Sequence, residues 1–124
     1  MSSHLERVLD IAADVTARRV TDLSSLRNIV RIDPARRTCE TEPLVAFDSL
    51  VSATRELGFV PRGVVACEIV TDFGDVTRWR PGQGVARGIV TALTFELVPL
   101  SSGRARASSV RLGRAPRRAR ARRR

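Results

Sequence analysis

Lysine and tyrosine are absent from this 124-residue chain, and histidine, tryptophan and methionine occur once each. The missing lysine removes any phosphate loop of the GxxxxGK[ST] type, so the glycine-rich stretch RPGQG at 80 to 84 reads as a connection. Only two cysteines are present, Cys39 and Cys67, and neither has the CxxC or His–Cys spacing of a metal site. They read as two reduced, partly buried thiols, in preference to a disulfide or a metal-ligand pair. No apolar run approaches the roughly 20 residues of a membrane span. The opening MSSHLERVLD carries charge where a secretion signal needs an apolar core. The expectation is a cytoplasmic protein with no membrane partner.

Charge is divided unevenly. All 22 basic residues are arginine, and the formal net charge is +9. Residues 1 to 103 hold 12 Arg against all 13 Asp and Glu, whereas 104 to 124 hold 10 Arg and no acid. A near-neutral body therefore carries a strongly basic tail. The arginine bias by itself has little functional weight, since a GC-rich coding sequence produces the same usage.

Leu5, Val8, Leu9, Ala12 and Val15 recur at helical spacing, predicting an amphipathic helix over 4 to 18. NIVRID at 28 to 33 and TCETE at 38 to 42 flank DPAR, where Pro34 suits the second position of a turn and Asp33 can accept from the following backbone. A hairpin is predicted there. From 43 to 58 the period becomes helical, with Phe47, Leu50, Val51, Thr54 and Leu57 on one face and Gly58 placed to end the helix in the left-handed region. Residues 64 to 71 and 76 to 80 flank the turn DFGD, a second hairpin. In the last strand Ile89, Thr91, Leu93, Phe95 and Leu97 are expected on one face, and Pro99 closes it. Helix, strand, strand, helix, strand, strand, strand points to an α+β domain with a mostly antiparallel sheet and two helices.

Two stretches, LRNIVRIDPARRTCETEPLVAFDSLVSATRELGFVP at 26 to 61 and GIVTALTFELVPL at 88 to 100, resemble the opening and closing segments of the FAD-binding domain of FAD-linked oxidases of the vanillyl-alcohol-oxidase or PCMH type. Glu42, Pro43, Leu44 and Val45 stand at the family's "P-G-V-T" corner, Leu50 on the following helix, and Gly58 and Phe59 after it. Gly88, Ile89, Val90 and Thr91 match the phrase "G-x-G-I-V-T". CEIVTDFGDVTRW at 67 to 79 is similar to the strand-turn-strand that precedes it. The phrasing is closest to the bacterial branch that looks like sterol reductases. The likeness covers about 20 to 100, in the family's own order. It implies three regions: an N-terminal helix at 1 to 20, a shortened PCMH-type FAD-binding-like domain at 21 to 100, and a disordered Arg-rich tail at 101 to 124.

The likeness implies FAD as cofactor and Gly88, Ile89, Val90 and Thr91 as the backbone nearest the flavin nucleotide. A plain closing strand begun by a glycine is the alternative reading of the same four residues. The family's glycine-rich segment, whose backbone N–H groups meet the pyrophosphate, has no counterpart. Pro61 leads within six residues to Cys67 with Gly63 the only glycine between. The substrate-binding cap is also missing after Leu100, so no second wall encloses a substrate. No residue is assigned catalysis. His4 lies outside the resembling region and is expected to be a solvated side chain near a frayed end. Glu68, Asp72 and Asp75 read as turn and surface acids.

The tail has ten arginines and no periodic apolar face, which predicts disorder and salt-dependent pairing with phosphate. It holds no aromatic residue for base stacking. Three readings follow: a shortened flavoprotein oxidoreductase domain that is weak or inactive alone and takes a partner chain for its missing lobe; a small protein binding nucleic acid or another polyanion through the tail; and a remnant without activity.

Overall fold

A computed structural model describes residues 2–84 and 87–100. The basic tail lies outside the described residues. The elements are α1 (His4–Thr16), β1 (Ile29–Asp33), β2 (Thr38–Thr41), α2 (Phe47–Arg55), β3 (Phe59–Thr71), β4 (Val76–Trp79) and β5 (Gly88–Pro99). Their order is the predicted one.

Local chemistry explains where the helices begin and end. Ser3 caps α1 reciprocally with Glu6: the Ser3 hydroxyl accepts from the Glu6 N–H at 3.1 Å, and the Ser3 N–H donates to the Glu6 carboxylate at 2.8 Å. The helix stops at Thr16, two residues short of the predicted end, because Arg18 turns into the left-handed region at φ +59°. α2 starts at Phe47 and not at Pro43, since Glu42 to Val45 first close a turn through the Val45 N–H to the Glu42 carbonyl. Gly58 takes φ +88°, as its placement after the helix demands. The shorter α2 buries Leu50 and Thr54 but leaves Phe47 and Leu57 mostly exposed, so the predicted apolar face is narrower than its spacing suggests.

Five antiparallel strands form one sheet in the order β1-β2-β5-β3-β4. At the β1–β2 turn Asp33 accepts from the Arg36 N–H at 3.1 Å, as predicted. β3 is longer than its predicted span and runs through Pro61. The proline sits beside a register irregularity between Pro61 and Gly63, where its missing N–H costs the ladder little.

Residues paired across antiparallel ladders share a face. Ile32, Cys39 and Phe95 therefore lie on one face, and Leu50 of α2 packs there with Cys39 and Leu97. Glu68 and Val70 lie on the other face, and α1 covers its end by packing Val8 and Ile11 against Leu26, Val70 and Ile89. The helices thus occupy opposite sides of the sheet. Alternation along β5 breaks at one point. Glu68 pairs with Ala92 but Ile69 pairs with Val90, leaving Thr91 as an extra residue. That bulge reverses the facing of everything before it. Ile89 consequently joins the α1 core while Phe95 and Leu97 join the α2 core, so the single predicted face of β5 is in fact two.

Candidate functional site

The four residues singled out for cofactor contact open β5, where Gly88 pairs with Thr71, Ile89 with Val70 and Val90 with Ile69. Gly88 has φ +147°, and a Cβ there would stand 2.1 Å from the Val70 carbonyl oxygen and 2.9 Å from Thr71 Cα. Its glycine is therefore demanded by β3 itself. Thr91 is fully buried, and its hydroxyl donates to the Glu68 carboxylate at 2.8 Å.

That bond belongs to a polar network beneath the N-terminus of α1. His4 Nδ1–H donates to Glu42 Oε2 at 2.7 Å, and Nε2–H donates to Glu68 Oε1 at 2.9 Å. Both ring nitrogens face carboxylates, which is the bonding of an imidazolium. Arg7 Nε donates to the same Glu42 oxygen at 2.8 Å, while the Asn28 backbone and side-chain N–H groups donate to Glu42 Oε1 at 3.0 and 2.7 Å. Glu42 is completely buried and accepts four bonds. Burial disfavours its charge, but the bonds from Arg7, His4 and Asn28 outweigh that and hold its pKa below the ordinary value. Burial likewise opposes charge on His4, and the bonds to Glu42 and Glu68 outweigh it, raising its pKa.

His4 is therefore not the solvated, frayed residue expected of it. The capping box places it at the first helical position, and its side chain is only 15% exposed. The Ser3-x-x-Glu6 signal was present in the sequence, but the partners 38 and 64 residues away were not. His4, Glu40 and Glu68 each offer one ligand atom within 4.8 Å of the others. Both His4 nitrogens are already engaged by Glu42 and Glu68, so proton-mediated bonds account for this grouping. The two cysteines are buried free thiols. Burial pushes the Cys39 thiol up to about 11, which keeps it protonated and unreactive.

The described residues do not form a glycine cradle for a pyrophosphate. From Phe59 to Thr71 the backbone is paired with β5 along its length, and Gly63 is the one glycine in that strand. RPGQG closes as a turn, with the Gln83 N–H on the Arg80 carbonyl and the Gln83 side chain back on the Arg80 N–H. FAD held in the family's manner does not fit these residues, and no chemical step is derived through it.

No protein-family model and no curated protein matches the chain. Solved structures do. A substrate-bound p-cresol methylhydroxylase is similar over 67% of this chain and 27% of its own, at 20% identity and TM-score 0.50. A berberine bridge enzyme variant matches over 65% and 25% at 18% identity and TM-score 0.49. The 4-ethylphenol oxidase of Gulosibacter chungangensis, in its isoeugenol complex, matches over 65% and 26% at 16% identity and TM-score 0.48. This chain spans about a quarter of the length of each. In architecture, two helices on a five-stranded antiparallel sheet, it corresponds to part of a PCMH-type FAD-binding domain.

Proposed function

We propose that this chain is a shortened FAD-binding domain of the oxidoreductase class, weak in flavin affinity and without turnover alone. The observation that carries the reading is the likeness of its fold to p-cresol methylhydroxylase over 67% of the chain, beside the phrases at 26 to 61 and 88 to 100 that resemble the family in sequence. On this reading 21 to 100 is the flavin-type domain, preceded by the helix at 1 to 20 and followed by the basic tail. Gly88, Ile89, Val90 and Thr91 are the strand nearest the flavin nucleotide, and the nearest branch is the sterol-reductase-like one. The pyrophosphate cradle and substrate wall come from a partner chain that supplies the missing lobe. Two free thiols suit a cytoplasmic setting.

Titrating the purified chain with FAD at high salt, while following flavin fluorescence, tests the proposal. A weak but saturable change is expected. A folded sample that gives no saturable change overturns it.

A further inference from the structure

Glu68 on β3 stands opposite Ala92 on β5, and Glu40 on β2 stands opposite Thr94, two positions further along β5. Both carboxylates therefore rise on one face of the sheet, the face that α1 covers and where His4 opens the helix. His4, Glu40 and Glu68 bring one donor atom each within 4.8 Å of the others, and His4 Nε2 is 2.9 Å from Glu68 Oε1. One imidazole nitrogen with two carboxylate oxygens is a donor set for divalent first-row transition metals, zinc among them. Zinc bonds of about 2.0–2.1 Å in a tetrahedron hold their donors about 3.3 Å apart. That separation lies between the two distances found here.

The groups around these donors are those that orient a metal-binding imidazole and its carboxylates. The Nδ1–H of His4 is held by Glu42, which is itself fixed by Arg7 and Asn28, so the ring is locked with Nε2 toward Glu68. The buried Thr91 hydroxyl orients Glu68. Glu40 is the odd member. Its side chain is only 14% exposed, yet among the described residues it accepts no hydrogen bond, and its nearest cation, Arg78, stands 3.7 Å away. A carboxylate so far out of water normally has a partner. An open groove of about 370 Å³, lined by Glu40, Thr94 and Arg78 among others, gives solvent a path to this side of the cluster.

We propose that His4 Nε2, Glu68 and Glu40 form a binding site for a divalent transition-metal ion of the zinc type, with water from the groove completing the tetrahedron. The ion takes the place of the proton between Nε2 and Glu68, and that proton leaves to solvent. The proton-bridged and metal-bridged forms are thus alternatives of one grouping, and Glu42 keeps the Nδ1 proton in both. The metal gives Glu40 the partner it lacks. Of the cations nearby, Arg7 is committed to Glu42, and Arg78 beside Glu40 opposes the ion. Thr91 enters only through its hydroxyl, so the site stands apart from the flavin reading and can fail without it.

Titration of the full chain with zinc, followed by the imidazole nitrogen NMR signals, tests it. His4 is the only histidine, so both ring signals belong to it. Saturable binding is expected, with Nε2 moving and Nδ1 keeping its proton. Glu40→Gln removes a ligand that holds no hydrogen bond, and it should weaken zinc binding about tenfold or more. Asp48→Asn with Glu56→Gln removes two exposed acids at α2, on the opposite side of the sheet, and should change it less than about twofold. Arg78→Gln takes away the opposing cation and should tighten binding about twofold or more. Should Glu40→Gln lose its fold, Arg78→Gln decides the matter. An Nε2 signal unmoved at saturating zinc, equal weakening in the Glu40 and α2 variants, unchanged binding in Arg78→Gln, or no saturable binding by the unmodified chain overturns the proposal.

Discussion

Glu42 and His4, 38 residues apart, meet through a 2.7 Å hydrogen bond in which the buried carboxylate accepts the Nδ1–H of the imidazolium. The bond ties the first turn of α1 to the end of β2, and Glu68 on β3 takes the other ring nitrogen. One charged side chain thus joins a helix to two strands of the sheet. The remaining charges around it are Arg7 on Glu42, with Glu40 beside Glu68 and Arg78 beyond Glu40.

Stability should follow this pair with a defined sign. The His4 pKa is raised above its ordinary 6.5, so its contribution is complete below 6.5 and is lost as pH rises through the raised value. The Glu42 pKa is lowered below its ordinary 4.5, so its contribution is complete above 4.5 and is lost as pH falls through the lowered value. The network is expected to be strongest between 4.5 and 6.5. Thermal unfolding across the range checks this. His4→Gln should flatten the decline on the alkaline side, and an unaltered decline in that variant would assign it to other groups.

Removing the buried partner should cost more. Glu42→Ala leaves His4, Arg7 and Asn28 without their shared acceptor, and an unfolding free energy lower by about 3 kcal/mol is expected from urea denaturation.

Two glycines should respond differently to alanine. At Gly58, with φ +88° and open space around it, only the left-handed backbone penalty applies, about 1 kcal/mol. At Gly88 the new Cβ meets the Val70 carbonyl oxygen at 2.1 Å, so β5 must separate locally from β3. Gly88→Ala is expected to lose at least about 3 kcal/mol. Equal losses at the two sites would mean that the close strand approach does not limit position 88.

Thr41 is fully buried, and its hydroxyl finds no hydrogen-bond partner among the described residues. Thr41→Val keeps the shape and removes the unpaired group, so a gain of about 1 kcal/mol is expected from the same denaturation measurement. A loss would show that the hydroxyl is in fact satisfied.

What could be read from the sequence was local. The DPAR turn, the glycine ending α2 and the two hairpins are set by residues within a few positions of one another, and all appear where predicted. The facing of Ile89 could not be read in this way. Strand alternation is a period-two rule, and the bulge at Thr91 that reverses it arises from pairing with Glu68 and Ile69, more than twenty residues earlier. His4 was lost for a similar reason. Its capping box is a local signal, but its burial depends on Glu42 and Glu68, which only the folded sheet brings to the helix.

The most direct measurement is an amide NMR titration of the full chain with FAD, at a salt concentration high enough to screen the tail. We expect saturable shifts that begin at Gly88, Ile89, Val90 and Thr91 and share one weak dissociation constant. A folded spectrum in which these four amides stay fixed as FAD is added would contradict the flavin-domain assignment.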